Sequence, residues 1–216
     1  TESGGPVRTL LASGSGLGDA AIAFLQGEAA GATIAGAAID APPSAFTAAT
    51  PPGWVRSARV DLRWERAPAA IGGVSYEVLV DGEAVATDVK GLSRTLSAVS
   101  IGDGDHQVSV TATDDGDQST ATPVASLKLD RAPPRVRISA SRRTRRATVA
   151  LSDGPAGDVS GVAASGSSVL WGDGKRSSGR RTLRHRYPRA GRYRVTVTAR
   201  DRAGNRRVVR KVVQAG

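Results

Sequence analysis

The sequence predicts an all-β protein made of tandem β-sandwich modules. Two stretches nearly repeat each other: residues 108–116 read VSVTATDDG, and residues 195–204, starting 87 residues further along, read VTVTARDRAG. Both alternate β-branched residues with small or polar ones, which is the period-two pattern of a half-buried strand, and both end at an Asp-containing turn. A repeat of this length with short strands fits one sandwich per copy. The 26 glycines and 11 prolines supply the turns that such a fold needs.

The composition limits what these modules contain. The chain has 216 residues, enough for two ordinary domains, and only 4% aromatic residues, so we expect cores of small aliphatic residues around one or two tryptophans. The absence of cysteine excludes disulfides, thiol catalysis and thiolate metal sites. The longest apolar run, Ala20 to Leu25, is far too short to span a bilayer, so no membrane insertion is predicted. The absence of methionine, even at position 1, indicates a segment of a longer or processed protein, and any export signal is expected outside it.

Residues 1–50 are rich in Ala and Gly and only weakly patterned. We predict two strands, at 19–25 and 32–39, joined by a polar turn at 26–31, and a third strand at 6–12. Because three short strands are too few for an independent core, this part is interpreted as a partial β-repeat, a β-hairpin segment whose remainder lies upstream, or as a flexible lead-in.

Residues 53–130 are predicted to form the first complete sandwich, behind a short linker that is bracketed by Pro42-Pro43 and Pro51-Pro52-Gly53. Asp81-Gly82 is a strong hairpin signal between two of its strands. The strands are expected at 58–64, 74–80, 84–87, 94–98, 106–113 and 121–129. This module resembles a fibronectin type III or related bacterial immunoglobulin-like domain. The resemblance lies in the succession of four features along the chain: Gly53-Trp54, Trp64, SYEVLVDG at 75–82 and DGDHQVSVTATDDG at 103–116.

Residues 134–214 are predicted to form a second sandwich behind the stiff join at Pro133-Pro134. Its first hairpin should turn six apolar residues inward, namely Val136, Ile138, Ala140, Ala147, Val149 and Leu151. Further strands are expected at 169–171, 181–187, 193–200 and 207–213. The module resembles the PKD domain in its spaced motif, Trp171-Gly172-Asp173-Gly174, His185-x-Tyr187, Gly191-x-Tyr193-x-Val195-x-Val197, Asp201 and Gly204-Asn205.

The resemblance to the PKD domain implies an extracellular β-sandwich that spaces or binds, without catalysis. It also implies that His185 makes a hydrogen bond that orders the neighbouring turn. The chain as a whole is thus expected to be a tandem array of immunoglobulin-like β-sandwiches with a partial β-hairpin segment at its N-terminus.

The tryptophans and the Gly-Asp-Gly turn have structural interpretations. Trp64 and Trp171 each end an apolar strand and are predicted to fill the core between two sheets. Trp54 stands at a module entrance and is expected to pack at the domain boundary. In the turn at 172–174, we expect glycines with positive φ and a capping Asp173, rather than a metal or catalytic loop.

The sequence carries no catalytic constellation. Its two histidines, His106 and His185, fall in different modules, and without cysteine neither completes a zinc site. No G-x-S-x-G elbow or phosphate-binding loop occurs, and the glycines at 14–18 have the wrong spacing for a dinucleotide site. We therefore predict that the chain is not an enzyme and has no catalytic residues and no cofactor.

Two acidic loops offer a weak candidate for calcium. Asp114, Asp115 and Asp117 provide carboxylates near hydroxyl groups, and calcium takes six to eight oxygen ligands. The twelve-residue EF-hand pattern is absent, so a solvated turn is the alternative interpretation.

The charge is divided very unevenly along the chain. Residues 1–131 carry a net charge of −7, whereas residues 132–216 carry +17. Arginines of the second module are candidates for contact with a polyanion: Arg142, Arg143, Arg145, Arg146, Arg192, Arg194 and Arg200. The alternatives are a solvated face produced by coding bias and docking of the acidic part on the basic part. Nucleic acid is disfavoured as a partner, because no recognition helix is evident and Tyr187 and Tyr193 are expected in the core.

These observations predict a non-catalytic extracellular or cell-surface segment that acts as a spacer or adhesion module. Its arginine-rich sandwich could contact an anionic polysaccharide or cell-wall polymer. The second interpretation is a carbohydrate- or polyanion-binding accessory module of a secreted enzyme whose catalytic domain lies outside this chain. The third is a DNA-associated protein that uses the basic module.

Overall fold

The computed structural model describes residues 8–14, 20–26, 33–69, 72–155, 159–179 and 181–216, with side chains described from residue 40 onward. Nearly all regular structure is β-strand, and the described residues contain one four-residue helix, α1 (Ala98–Ile101). The first strands are β1 (Arg8–Gly14), β2 (Ala20–Gln26), β3 (Thr33–Ile39), β4 (Ala48–Ala49), β5 (Trp54–Val55), β6 (Arg59–Trp64), β7 (Val74–Val80), β8 (Glu83–Val89) and β9 (Ser93–Ser97). The remaining strands are β10 (Gly104–Asp114), β11 (Ser119–Ala121), β12 (Ala125–Leu129), β13 (Arg135–Ser141), β14 (Arg146–Ser152), β15 (Ser168–Leu170), β16 (Arg176–Ser178), β17 (Thr182–Arg186), β18 (Gly191–Arg200) and β19 (Arg206–Ala215).

The chain forms two compact units. The first comprises residues 1–50, 62–94 and 107–125, and the second comprises residues 51–61, 95–106 and 126–216.

In the first unit, β1, β2 and β3 form an antiparallel sheet in which Ala12 pairs with Ile22 and Leu25 pairs with Ile34. The three strands predicted near the N-terminus are therefore confirmed. The turn predicted between β2 and β3 lies outside the described residues, apart from Gln26 in β2.

The rest of the first unit is organised by strict alternation along its strands. In β7 and β10, which pair antiparallel, Val78 lies opposite Val110 and both are fully buried. Trp64 is 6% exposed, and its ring lies 5.6 Å from that of Tyr76, which confirms the predicted core position. Tyr76 also accepts a hydrogen bond from the backbone of Ala67 at 3.0 Å, so its hydroxyl is satisfied inside the core.

The structure differs from the predicted strands at two places. The strand expected at 121–129 is divided into β11 and β12, because Pro123 has no N–H to give to a ladder. Thr122, which precedes Pro123, makes two hydrogen bonds with Val110: its backbone N–H donates to the Val110 carbonyl, and its hydroxyl accepts from the Val110 N–H. The strand expected at 94–98 ends at Ser97, whose side chain caps α1.

In the second unit, the residues after Pro134 form an immunoglobulin-like β-sandwich. One sheet has the strand order β13-β14-β17, and the other has the order β16-β15-β18-β19. Both sheets contribute to one core, which is lined by Ile138, Ala147, Val149, Leu151, Val169, Trp171, Tyr187, Val195, Val197, Ala199, Val213 and Ala215. Five of the six residues predicted to point inward in the first hairpin are buried or half-buried. Ala140 is the exception: it is exposed, one residue before β13 ends.

Two pairings in this unit escaped the sequence analysis. Trp54 and Val55 of β5 pair in parallel with Lys128 and Leu129 of β12, and Trp54 is half-buried. The short edge strand β16 pairs with β15, with Arg176 opposite Leu170.

Candidate functional site: an arginine surface and a carboxylate cluster

The Gly-Asp-Gly turn is a structural element, as predicted. Asp173 accepts hydrogen bonds from the Lys175 backbone at 3.1 Å and pairs with His185 Nε2 at 2.7 Å. The His185 ring stacks on Trp171, with centroids 5.0 Å apart, and Trp171 is fully buried. Burial alone would raise the pKa of Asp173, but the hydrogen bonds from His185 and Lys175 outweigh burial and hold this pKa below its usual value. These contacts fix the turn and hold the His185 ring against it.

The outer face of the four-stranded sheet is an exposed cationic surface. In β18 the odd-numbered residues from 193 to 199 point toward the core, so the even-numbered ones point outward. The pairing register continues this face across all four strands. Its arginines are all exposed and will be called the arginine surface: Arg176, Arg192, Arg194, Arg200, Arg206 and Arg210.

The outer face of the opposite sheet is also cationic. By the same alternation, five exposed arginines point outward from β13, β14 and β17, namely Arg135, Arg137, Arg146, Arg184 and Arg186. The sandwich therefore presents positive charge on both of its outer faces.

The arginines face one another instead of carboxylates. Arg200 lies directly opposite Arg206, and Arg146 lies directly opposite Arg186. Like charges at directly opposed positions of a sheet are destabilising. Among the residues that the structure describes, no carboxylate lies within 4.0 Å of these four guanidinium groups. These opposed arginine pairs therefore do not add to the stability of the sandwich.

Two shallow grooves bring cations together at one end of the sandwich. A groove of about 480 Å³ is lined by Arg142, Arg192 and Lys211, which come from a turn and from both strands of the edge hairpin. A second groove of about 420 Å³ combines Arg146 and Arg184 with hydroxyl side chains of the opposite sheet. Guanidinium and hydroxyl groups in this arrangement suit phosphate, sulfate or carboxylate oxygens.

The seven arginines predicted from the sequence are not equivalent. Arg192, Arg194 and Arg200 share the arginine surface, and Arg142 joins them through the first groove. Arg143 is exposed in the turn, and Arg146 belongs to the opposite face. Arg145 has a structural role: it is half-buried, its φ is +52°, and its Nη1 donates to the Pro188 carbonyl at 3.0 Å.

The aspartates predicted as calcium ligands occupy a tight turn after β10. Asp114 is buried and accepts hydrogen bonds from the backbone of Gly116 and Gln118. Asp115 accepts a hydrogen bond from Gly73 at 2.6 Å, and Asp117 lies at φ +61°. The three carboxylates are not among the described groups that converge within 4.8 Å of one another.

A different carboxylate cluster, which the sequence analysis missed, lies in the second unit. Asp130, Asp153 and Asp201 each contribute one carboxylate oxygen, and these three oxygens all lie within 4.8 Å of one another. Asp130 and Asp201 are 0% and 2% exposed. Each of the three aspartates follows a strand, β12, β14 or β18, and that placement is the signal available in the sequence.

Burial and neighbouring carboxylates raise the pKa of two members of this cluster, Asp153 and Asp201. Desolvation, together with the charges of Asp130 and Asp201, raises the pKa of Asp153 to about 6. Burial also raises the pKa of Asp201, although hydrogen bonds from Asn205 oppose the rise. Arg181 and Arg202 line the same cavity as Asp153 but form no ion pair with it among the described residues.

This raised pKa predicts a pH dependence of stability in chelator-treated buffer. The folded carboxyl of Asp153 keeps its proton up to about pH 6, whereas the unfolded one loses it near 3.8. The stability that it contributes is therefore complete below pH 3.8 and is lost as the pH rises to about 6. Relative to an Asp153→Asn variant, the melting temperature of the wild-type chain should fall between pH 4 and pH 6.5. A constant difference across this range would contradict the prediction.

The sheets described above define the class, a protein of immunoglobulin-like β-sandwiches. In a comparison with known families, residues 131–214 match the family model of the PKD domain, in agreement with the motif found in the sequence. No curated protein matches the chain significantly.

Solved structures that are similar to the chain at low sequence identity include the following three. The fibronectin(III)-like modules of Clostridium thermocellum CbhA are 13% identical with a TM-score of 0.35, covering 81% of this chain and 89% of that one. The FN1–FN3 domains of chicken CNTN1 are 12% identical with a TM-score of 0.33, covering 93% and 77%. Bacteroides ovatus SGBP-B, solved with a mixed-linkage heptasaccharide, is 15% identical with a TM-score of 0.29, covering 81% and 43%. No helix among the described residues is long and apolar enough to cross a membrane.

Proposed function

We propose that this chain is a non-catalytic, extracellular-type modular segment whose PKD domain contacts an anionic polymer through the arginine surface. In this proposal, residues 1–50 are a partial β-repeat, residues 53–130 a fibronectin type III-like sandwich, and residues 134–214 the polymer-contacting sandwich. The observation that carries the proposal is the arginine surface itself, six exposed guanidinium groups on one sheet face. Because these groups repel one another across the sheet, a polyanion that neutralises them would recover the lost stability.

The chemistry of the surface favours an anionic polymer over a neutral one. Neutral sugars and unpaired bases are commonly held by stacking on exposed aromatic rings. Within the part of the chain whose side chains are described, the exposed large apolar residues are aliphatic: Val85, Leu92, Val99, Val124, Leu170 and Val212. The tyrosines of this domain are committed to packing, since Tyr187 and Tyr193 stack on each other at 4.0 Å. Electrostatic attraction is therefore the recognition mode that the surface supports.

The test uses the whole chain with heparin and dextran sulfate as probes and neutral dextran as the control polymer. Wild type should bind both anionic polymers at low salt, and the affinity should fall steeply as salt is added. A variant with Arg192, Arg194 and Arg200 changed to Gln should elute from a heparin column at clearly lower salt, with an affinity at least tenfold weaker.

A matched control separates a defined surface from general basicity. Arg59, Arg63 and Arg66 are exposed arginines outside this domain, and changing them to Gln removes an equal number of positive charges, three, from a different part of the chain. This control variant should bind nearly as well as wild type. Equal weakening in both variants, or no binding of wild type at low salt, would overturn the proposal and favour the spacer role.

A further inference from the structure

The carboxylate cluster in the second unit contains three buried oxygens that accept no hydrogen bond from the described residues. Asp130 uses Oδ2 to accept a hydrogen bond from Ser160 N at 2.9 Å, and Asp201 uses Oδ1 to accept one from Asn205 N at 2.7 Å. Their other oxygens, and Oδ2 of Asp153, are buried and have no hydrogen-bond partner among the described residues. A buried carboxylate oxygen that lacks a donor is strongly destabilising. Three such oxygens in one place therefore require a positive charge or protons.

The hydrogen bonds that are present hold these oxygens in place. Besides its side-chain contact, Asp130 is anchored by backbone hydrogen bonds to Val55 and, through its carbonyl, to the Asn205 side chain at 2.8 Å. Ser160 links the same region to Ala203, whose backbone donates to the Ser160 hydroxyl at 3.1 Å. The ligand atoms are thus arranged before any ion arrives, which lowers the entropy that binding would cost.

The donor atoms indicate which kind of ion would bind. The cluster consists of carboxylate oxygens alone, with no histidine beside them and no cysteine in the chain, and such hard ligands select calcium or magnesium over zinc. Calcium bonds oxygen at about 2.3–2.6 Å, so one ion can touch oxygens that lie up to 4.8 Å apart. Magnesium needs shorter bonds and strict octahedral geometry, which is harder to meet in a buried site whose ligands are already held.

We propose that Asp130, Asp153 and Asp201 bind one calcium ion. A cavity of about 590 Å³ lined by Asp153 gives the ion an entry route and room for the waters that complete its coordination. The ion would join three strand ends, those of β12, β14 and β18, and so would stiffen the segment 130–134 that leads into the PKD domain.

The experiment measures calcium binding to the whole chain after removal of metal with a chelator. Isothermal titration with calcium chloride should show one saturable site, and calcium should raise the melting temperature by several degrees. Hydrogen exchange of peptides covering 200–205 should slow when calcium is added. Magnesium should bind at least tenfold more weakly.

Two sets of variants decide where the ion sits. Asp201→Asn and Asp153→Asn should each weaken binding at least tenfold, and the half-buried Asp153 provides a variant expected to fold even if Asp201→Asn does not. The control is Asp115→Asn with Asp117→Asn, which removes two exposed carboxylates of the turn after β10 and should leave binding unchanged. Loss of binding in that control, unaltered binding in Asp153→Asn, or no binding at millimolar calcium would each overturn the proposal.

Discussion

Replacing Gly172 with alanine should destabilise the second sandwich by roughly 3 kcal/mol or more. Gly172 lies at φ +88°, a left-handed conformation that costs an L residue about 1–2 kcal/mol. An added Cβ would also lie 2.7 Å from the carbonyl oxygen and 2.8 Å from the nitrogen of Arg194. These are backbone atoms of β18, which pairs with strands on both sides and cannot move away without disturbing the sheet.

The neighbouring glycine offers a matched control for this substitution. Gly174 lies at φ +87°, but a Cβ there would meet nothing within 4 Å. Gly174→Ala should therefore show only the backbone cost of about 1–2 kcal/mol. The measurement is urea unfolding of the whole chain, read out by hydrogen exchange of the β18 amides. If both substitutions cost the same, the close approach to β18 is not what requires glycine at position 172.

Replacing Trp171 with alanine should cost about 3–5 kcal/mol, a large part of the stability of a domain of this size. The side chain is fully buried and donates a hydrogen bond from Nε1 to Ser177 Oγ at 2.9 Å. The His185 ring stacks on the indole ring, and the backbone carbonyl of Trp171 accepts a hydrogen bond from the Tyr187 hydroxyl at 3.0 Å. Removing the indole thus opens a cavity and also releases the support of the Gly-Asp-Gly turn.

The adjacent residue provides the comparison. Leu170 is 51% exposed on the outer face of β15, so Leu170→Ala should change the free energy of unfolding by no more than about 0.5 kcal/mol. Both variants are compared by chemical denaturation of the whole chain. Should Trp171→Ala prevent folding, Trp171→Phe keeps a ring in the core and should show a smaller loss. Similar losses for Trp171→Ala and Leu170→Ala would contradict the core role.

Much of the fold was predictable, because the alternation of apolar and polar residues along a strand indicates directly which side chains are buried. The pattern in β18 predicted which face of the strand is apolar, and the predicted core positions of Trp64 and Trp171 are confirmed. Asp81-Gly82 predicted a hairpin, and both residues adopt positive φ between β7 and β8. What failed were short pairings such as β5 with β12, since two-residue strands carry no periodicity to recognise.

The carboxylate cluster could not be found from the sequence. Asp130, Asp153 and Asp201 are separated by 23 and 48 residues, and no spacing rule brings three strand ends together. The acidic turn at 114–117 was predicted as a weak calcium candidate because its carboxylates are close in sequence. In the fold, the carboxylates of Asp114 and Asp115 instead accept hydrogen bonds from backbone N–H groups. Conversely, the exposed arginines were identifiable, because their outward direction follows from the strand pattern alone.

The position of β19 at the edge of its sheet gives its cations a second effect. β19 has ten residues and is the last strand in its sheet order, and an edge strand can pair with a strand from another molecule, which leads to aggregation. Arg206, Arg210 and Lys211 oppose such pairing, because two copies of the edge would repel each other. In the proposed function, a polyanion bound to these side chains would remove this protection, so solubility and polymer contact would depend on the same few side chains and could not be optimised separately.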